Sequence, residues 1–326
     1  MLNAKTIAVI VPCYKVKDHI VSTIADIPDF VDRIVVVNDG CPAGSGDAIR
    51  TISDPRLQVI SHAVNQGLGS AMISGFRECL RQGFDIVVKM DGDGQMSGAD
   101  LAHLIVPLVN GDADYVKGNR WVQISALKTM PAFRRIGNTG LSFMAKAASG
   151  YWNIFDPNNG YVAINKTALS LLELDRIGRR YFFENSMLIN LNIIRAVVQD
   201  VPLPARYGNE ASSLSLTRTF FEFPIHMFLG LARRIWWRHF VFDFSLFALY
   251  LLSGFPALAF GTVFGSYHWY QSYKLGIVAT AGTVMVATLP TLIGFQLILQ
   301  AVLMDVVSVP SVPLCRTRQQ KIKSAT

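Results

Sequence analysis

The chain has 326 residues, which is enough for one large domain with an appendage. A composition of 51% hydrophobic and 16% charged residues argues against a purely soluble protein, and the four cysteines have neither metal nor disulfide spacing. The net charge is +7, but the basic residues cluster beside an apolar C-terminal region, where anionic lipid headgroups explain them better than nucleic acid does.

Strand and helix patterns alternate along the first part of the chain. Apolar, β-branched runs predict strands at 6–11, 33–37, 57–61 and 84–90, and helical patterns lie between them at 17–26, 46–52 and 68–81. This alternation predicts an α/β domain with a parallel sheet that helices cover on both faces. Ligands of such sheets bind beyond the carboxyl ends of the strands. The polar residues at those ends should therefore converge on one edge: Tyr14, Asp39, Asn65 and the cluster 91–95.

An acidic cluster, Asp91-Gly-Asp93-Gly-Gln95, follows the fourth predicted strand. Two carboxylates one residue apart in a glycine-rich turn can direct their oxygens at one hard cation, and Gln95 adds a neutral oxygen. Magnesium or manganese held there would neutralise charge that develops on a departing diphosphate. A solvated turn without a ligand is the alternative for Asp-x-Asp alone. The position of the cluster, opposite a second acidic turn at Asp39, favours a binding site.

Bulky aromatic residues and a basic cluster mix between Thr217 and Phe240, a texture typical of a helix that lies in the membrane interface. Pro224 should kink or divide this helix. A core helix of the first domain is the alternative, because Phe and Trp stripes are common in cores.

Two long apolar runs follow this segment. Residues 244–264 and 275–304 contain no Asp, Glu, Lys or Arg, and each run is long enough to cross the hydrocarbon core as a helix. The short connection 265–274 would join them. Basic residues lie on the outer side of each run, so the positive-inside rule predicts a cytoplasmic first domain and a cytoplasmic tail. The predicted organisation is a first domain at 1–215, interfacial helices at 216–241, two transmembrane helices at 242–305 and a basic tail at 306–326.

The motifs and their order resemble glycosyltransferase family 2, in its polyprenyl-phosphate branch, which is dolichyl-phosphate mannose synthase-like and bactoprenol glucosyltransferase-like. The matching segments are 9–14 (VIVPCY), 35–40 (VVVNDG), 65–67 (NQG), 91–95 (DGDGQ), 117–120 (KGNR), 156–160 (DPNNG), 183–184 (FE) and 201–207 (VPLPARY). The resemblance implies a GT-A nucleotide-sugar-binding domain, which is Rossmann-like with a mostly parallel sheet.

The resemblance also implies roles for individual residues. The nucleotide-sugar-binding residues would be Pro12, Tyr14, Asp39, Gly67, Asp91 and Asp93. Asp91, Asp93 and Gln95 would hold the metal, Mg²⁺ or Mn²⁺. The phosphate-binding residues would be Arg120, Arg134 and Arg135, although this arginine pair also fits a solvated helix face. The catalytic residues would be Asp156, Glu184 and Arg206. Relatives often carry a lysine shortly after the equivalent of Arg206, and this chain has none there.

A polyprenyl phosphate is already anionic near neutral pH, so its attack on a sugar needs charge screening more than a strong base. We therefore expect an inverting enzyme that moves a hexose or N-acetylhexosamine from a UDP- or GDP-linked sugar to polyprenyl phosphate. It would act at the cytoplasmic face of the inner or plasma membrane, bound to the lipid bilayer. No motif identifies the sugar, and homo-oligomerisation stays open. The alternatives are a polysaccharide-synthase-type glycosyltransferase and a non-catalytic membrane scaffold of the same fold.

Overall fold

The structure, a computed structural model, describes residues 4–120, 132–204 and 216–316. The chain divides into two compact units. The first unit runs to Arg234 and resumes at Pro310, and the second unit is Ile235–Val309. Residues 216–234, which the sequence assigned to a separate interfacial segment, thus group with the first unit.

One sheet forms the centre of the first unit. Within the described residues it has seven strands. They are β1 (Ile7–Cys13), β2 (Arg33–Asp39), β3 (Leu57–His62), β4 (Ile86–Lys89), β5 (Tyr115–Asn119), β6 (Val162–Asn165) and β7 (Val198–Pro202). The strand order is β3-β2-β1-β4-β6-β5-β7, and β6 runs antiparallel to both of its neighbours while the other pairs are parallel. The predicted α/β class and the mostly parallel sheet are confirmed.

The helices of the first unit include all three that the sequence predicted before residue 90. They are α1 (Lys17–Ala25), α2 (Ser45–Arg50), α3 (Leu68–Gln82), α4 (Leu101–Val109), α5 (Ala132–Ser149), α6 (Lys166–Leu171), α7 (Phe183–Ile193) and α8 (Leu216–Trp236). The last two residues of α8 belong to the second unit. Short 3₁₀ turns occupy Gly98–Asp100 and Leu174–Arg176.

Both faces of β1 are buried. Val9 packs in one core cluster with Ile20 of α1 and Leu104 of α4. Ile10, which points to the other face, meets α3, where a Cβ added to Gly75 would lie only 2.7 Å from Ile10 Cγ2. Glycine at this position lets the helix approach the strand closely. Because helices cover both faces, β1 can be a continuous apolar run.

The C-terminal end of α8 is fastened to the rest of the first unit. Arg234 is fully buried and donates hydrogen bonds to the carbonyl oxygens of Ala147 and Ala148, at 3.0 and 2.9 Å. These carbonyls lie at the C-terminal end of α5, where a cation is favoured by the helix dipole. Arg233 donates to Asn190 Oδ1 of α7 at 2.7 Å. α8 continues through Pro224, so the helix is not divided there, and a kink at Pro224 stays a prediction.

The second unit contains a π-helical turn, Trp237–Val241, and the helices α9 (Leu246–Leu275) and α10 (Ala281–Val307). In the described part of the chain, these two helices are long and apolar enough to cross a membrane. Of the most apolar 18 residues in each helix, only 22% are buried in α9 and 11% in α10. They pack closely, since a Cβ on Gly294 would lie 2.7 Å from the Gly254 carbonyl oxygen. The connection that the sequence placed at 265–274 is helical instead. The chain turns at Gly276, whose φ of +67° favours glycine.

Residues 310–316, which follow α10 and which we call the return segment, belong to the first unit. The Leu314 N–H donates to both carboxylate oxygens of Asp114, at 3.1 and 2.9 Å, and Arg316 pairs with Asp112 at 2.6 Å. Asp114 directly precedes β5, and Asp112 lies two residues earlier. The beginning of the predicted tail is therefore packed, while residues 317–326 lie outside the described part.

Candidate functional site

Two adjoining cavities open at the carboxyl ends of the central strands. The smaller one measures about 230 Å³ and the larger one about 470 Å³. Leu68, Asp91, Asp93 and Tyr181 line both cavities. The acidic cluster after β4 therefore lies at the junction of the two, at the edge where parallel sheets bind their ligands.

The smaller cavity brings together the residues that the sequence assigned to the nucleotide sugar. Pro12 and Tyr14 lie at the end of β1, Asp39 ends β2, and Asn65 and Gly67 precede α3. They meet because β1 and β2 are neighbouring parallel strands whose carboxyl ends share one edge. Every residue predicted to bind the nucleotide sugar lines this cavity. Their role in binding stays a prediction.

The Asp39 carboxylate is also engaged by the protein itself. It accepts hydrogen bonds from the backbone N–H groups of Gln66 and Gly67, at 3.0 and 2.7 Å, and His62 Nδ1 lies 2.7 Å from its Oδ1. His62 Nε2 in turn lies 2.9 Å from Ser74 Oγ. Asp39 therefore fixes the loop before α3 as well as lining the cavity. The sequence does not point to His62, because a single histidine at the end of an edge strand matches no motif.

Lys89, the last residue of β4, holds the acidic cluster in place. Its side chain is fully buried, and Nζ lies 2.6 Å from Asp91 Oδ1 and 3.6 Å from Glu184 Oε1. Burial by itself would lower the pKa of Lys89, but the neighbouring carboxylates raise that pKa above its usual value. Lys89 is not among the residues predicted from the sequence. A signal was available, because a lysine inside an apolar strand is almost never fully buried unless it is paired.

The donor set at the junction fits a divalent cation. Asp91, Asp93 and Gln95 contribute two carboxylates and one amide to the wall of the larger cavity, and Mg²⁺ and Mn²⁺ prefer such oxygen ligands. Asp93 Oδ1 accepts a hydrogen bond from the Gln95 N–H at 3.0 Å, which closes the turn. Among the residues described, no group of three or more His, Cys, Asp and Glu side chains could hold a metal ion by itself. A cation here would share its coordination with substrate phosphates and water.

Two residues that the sequence placed in separate roles form a pair. Arg120, which follows β5, donates from Nε to Asp156 Oδ2 at 2.8 Å and from Nη2 to Oδ1 at 3.3 Å. Asp156 is 2% exposed, whereas Arg120 lines the larger cavity. The carboxylate therefore lies behind the guanidinium and orients it. In this arrangement Arg120 can meet a phosphate, and direct contact of Asp156 with a sugar stays a prediction.

Glu184 lies in the first turn of α7 and lines the larger cavity near Lys89. Asn158 lines the same wall and accepts a hydrogen bond from Asn185 Nδ2 at 3.1 Å. Gly160 lies against Lys89 and has no room for a side chain, since a Cβ there would lie 2.7 Å from Lys89 Nζ. The turn at 156–160 thus contributes to the wall beside Glu184.

Three predicted residues cannot be placed in the site. Arg134 and Arg135 belong to the first turn of α5, but the side chains of that turn lie outside the described part of the chain. Arg206 lies in the stretch 205–215, which also falls outside the described residues. Their contacts with a phosphate stay predictions.

The larger cavity has two kinds of wall. Beside the acidic cluster the wall is polar and includes Arg120 and Glu184. Elsewhere it is apolar, and its residues come from α5, α8 and the segment after β7: Leu141, Leu203, Pro204, Phe223 and Met227. A cavity of this kind suits a ligand that has both a charged group and an apolar body.

Residues 8–172 match glycosyl transferase family 2. A UDP-N-acetylglucosamine–dolichyl-phosphate N-acetylglucosaminyltransferase from Methanococcus voltae is 28% identical over 62% of this chain and 86% of its own length. An undecaprenyl-phosphate mannosyltransferase from Micrococcus luteus is 30% identical over 60% of this chain and 81% of its own. Among solved structures, the glucosyl-3-phosphoglycerate synthase from Mycobacterium tuberculosis in complex with Mn²⁺, UDP-glucose and phosphoglyceric acid aligns with a TM-score of 0.53. That alignment covers 71% of this chain and 80% of the other at 19% identity.

The likeness to the solved structure shows the fold, which is GT-A. The family match reaches from β1 past β6, and it includes both the acidic cluster and the turn at 156–160. The matched region thus contains the strand ends and turns around the junction, whereas the apolar wall from α8 and the segment after β7 lies beyond it. The chain belongs to glycosyl transferase family 2 and is a glycosyltransferase.

Proposed function

We propose that this glycosyltransferase moves a hexose or N-acetylhexosamine from a UDP- or GDP-linked sugar to a polyprenyl phosphate, with inversion. The observation that carries the proposal is the larger cavity, where a charged junction and an apolar wall share one space. The two relatives described above support the acceptor class, since their names contain dolichyl phosphate and undecaprenyl phosphate. α9 and α10 would anchor the enzyme in the inner or plasma membrane, with the first unit on the cytoplasmic side.

On the donor side, the nucleotide would bind in the smaller cavity beside Tyr14 and Asp39, with its diphosphate at the junction. A cation held by Asp91, Asp93 and Gln95 would supply positive charge to the diphosphate as it leaves. Lys89 keeps the Asp91 carboxylate oriented through its 2.6 Å contact. The protein thus fixes the leaving group before any bond is broken.

On the acceptor side, the phosphate would meet Arg120, which Asp156 orients from behind. Arg206, together with Arg134 or Arg135, would grip the same phosphate, because the planar guanidinium matches phosphate oxygens. The prenyl chain would lie along the apolar wall that Phe223 and Met227 form. A phosphate monoester is anionic near neutral pH, so its oxygen attacks without a strong base. One displacement at the anomeric carbon gives inversion.

The experiment is a screen of UDP- and GDP-linked sugars with the purified enzyme, Mn²⁺ and undecaprenyl phosphate in detergent, with the glycolipid read by mass spectrometry. Phosphoglyceric acid serves as the competing soluble acceptor, because the structural neighbour was crystallised with it. Transfer to the lipid with one nucleotide sugar is expected. Transfer to phosphoglyceric acid in preference to the lipid would refute the proposed acceptor.

The metal site is tested with Asp93→Ala, and Asp47→Ala is the matched control because its side chain is 82% exposed on α2. We expect Asp93→Ala to lose turnover and to lose the dependence of nucleotide diphosphate binding on Mn²⁺, which calorimetry measures without catalysis. Asp47→Ala should behave as the unmodified enzyme. Full turnover of Asp93→Ala in excess chelator would remove the metal from the proposal.

A further inference from the structure

Two buried lysines lie below the junction of the cavities, on two strands that β6 separates. Lys89 on β4 and Lys117 on β5 are both fully buried. Each is paired in register with the same residue, Val162 of the intervening strand β6. Residues that are directly opposite each other on adjacent strands extend to the same face of a sheet. The two side chains therefore extend in parallel from one row of the sheet.

Both ammonium groups act on the turn at 156–160. Lys89 Nζ donates to the carbonyl oxygen of Gly160 at 3.2 Å, and Lys117 Nζ donates to that of Asn159 at 2.7 Å. Two consecutive carbonyl groups are thus each held by a buried cation. The Asn159 side chain also ties the turn down, since its Nδ2 donates to the Gly118 carbonyl oxygen at 2.6 Å.

The remaining contacts of the two lysines differ. Lys89 also contacts the carboxylates of Asp91 and Glu184, which line the larger cavity. Lys117 makes its hydrogen bond to the turn, and burial lowers the pKa of Lys117 to about 8 although Glu184 and Asp156 oppose this shift. The charged form of Lys117 is therefore costly. An apolar side chain of similar length would fill the same space without that cost, so packing alone does not explain a lysine here.

The turn at 156–160 carries the residues that shape the acceptor side of the cavity. Asp156 orients Arg120, and Asn158 forms part of the wall. Asp91, in contrast, lies where the two cavities meet. A displacement of the turn would move Arg120 and Asn158, whereas a displacement of Asp91 would alter the place where the donor diphosphate is expected.

We infer that the two lysines are positioning residues with separate tasks, an inference that rests on the proposed function. Lys117 holds the turn at 156–160 so that Arg120 meets the acceptor phosphate, and its loss impairs the transfer step. Lys89 holds the Asp91 carboxylate, and its loss impairs binding of the nucleotide diphosphate. The two residues share burial, strand position and charge but differ in what they position.

The experiment compares Lys117→Met with Lys89→Met, which remove the same charge from the same row of the sheet. Binding of UDP and GDP is measured by calorimetry with Mn²⁺, and kcat and KM are measured with the acceptor that the unmodified enzyme uses. Lys117→Met should lower kcat about 10- to 100-fold, as expected when one charge-assisted hydrogen bond is lost, and should leave the nucleotide Kd within about 3-fold. Lys89→Met should weaken nucleotide binding about 10-fold or more.

A merely structural role would give both variants the same defect, with kcat and nucleotide binding falling together. That result would overturn the inference, as would unchanged nucleotide binding in Lys89→Met. If Lys117→Met does not fold, Asn159→Ala loosens the same turn from its other side and should give the same loss of kcat with nucleotide binding retained. If Asn159→Ala instead weakens nucleotide binding, the two lysines do not have separate tasks. Failure of the unmodified enzyme to use polyprenyl phosphate would refute the proposed acceptor, while the nucleotide titrations would still decide between the two lysines.

Discussion

Asp114 ties three distant parts of the first unit together, and its removal should destabilise the protein strongly. The residue is fully buried just before β5. Its carboxylate accepts hydrogen bonds from the Val197 N–H and from Asn165 Nδ2, both at 2.9 Å. It also accepts the Leu314 N–H from the return segment. Asp114→Ala would leave the Val197 and Leu314 N–H groups without their acceptor and would cost Asn165 Nδ2 the shorter of its two hydrogen bonds.

The magnitude follows from burial. A hydrogen bond to a charged group contributes about 1.5–3 kcal/mol, but three bonds to one carboxylate are not additive. Each buried donor left without its acceptor costs about 1–3 kcal/mol, so a total loss of about 3–5 kcal/mol is expected for Asp114→Ala. Asp112 also holds the return segment, but its pair with Arg316 is about half exposed on both sides. Such a pair contributes at most about 1 kcal/mol, so Asp112→Ala is a matched control.

The assay uses a cysteine that the fold protects. Cys79 of α3 is fully buried, and burial raises the pKa of its thiol to about 12, so it should resist alkylation until the first unit unfolds. Heat pulses followed by a maleimide, with mass spectrometry of the Cys79 peptide, give a midpoint temperature. Asp114→Ala should lower this midpoint by about 6 °C or more, and Asp112→Ala by no more than about 4 °C. Equal midpoints for the two variants would refute the reasoning.

Three further outcomes are expected. Gly294→Val should lower the thermal midpoint of the detergent-solubilised protein, because the new Cβ meets α9. Gly282→Val should not, because a Cβ there would meet only Thr280 Oγ1, at 3.9 Å; equal midpoints would contradict the close packing of α9 and α10. In right-side-out sealed vesicles, whose lumen corresponds to the cytoplasm, a membrane-impermeant maleimide should label Val278→Cys, which lies between α9 and α10, and should spare Cys315; labelling of Cys315 would reverse the proposed orientation. Asp200→Asn should stabilise the protein at pH 7.5 but not at pH 4, because burial raises the pKa of Asp200 from 3.8 to about 6. The folded state then binds the proton more tightly than the unfolded state, so the unmodified protein loses stability as pH rises from about 4 to 6. If the stability difference between Asp200→Asn and the unmodified protein is the same at both pH values, this assignment is contradicted.

The strand ends of the site were predictable, and the physical reason is local. Alternating apolar runs and turns identify β1, β2 and β4, and a parallel sheet brings their carboxyl ends to one edge. This placed Tyr14, Asp39 and Asp93 together from the sequence alone, and all three line the smaller cavity.

The wall around Arg120 and the turn at 156–160 was not predictable in the same way, because it depends on one antiparallel strand. β6 lies between β4 and β5 in the sheet although it follows both in sequence. This insertion brings the turn at 156–160 onto Lys89 and Lys117 and sets Asp156 against Arg120. No local pattern encodes such a non-local pairing. A lysine in an apolar strand marks a buried partner, but the sequence does not say which residue that partner is.

Helix boundaries in the apolar region show a second limit. Hydropathy correctly located two long helices, but it placed the connection at 265–274, where the charge-free run ends. The structure continues α9 through those residues to Leu275. Hydropathy reports where a helix could lie in lipid, whereas the end of a helix depends on a residue that can adopt the left-handed conformation, here Gly276.

α8 exposes large apolar residues on one side although part of its basic cluster is buried. Arg234 is fully buried against α5, and Arg233 reaches Asn190 of α7. Ile225 and Phe228, in contrast, are 61% and 69% exposed. A surface helix in water buries its apolar residues and exposes its charges. We therefore infer that the exposed side of α8 meets the apolar part of the membrane interface, where Phe223 and Met227 of the same helix line the larger cavity. A polyprenyl phosphate could then reach the charged junction with its chain still in contact with lipid.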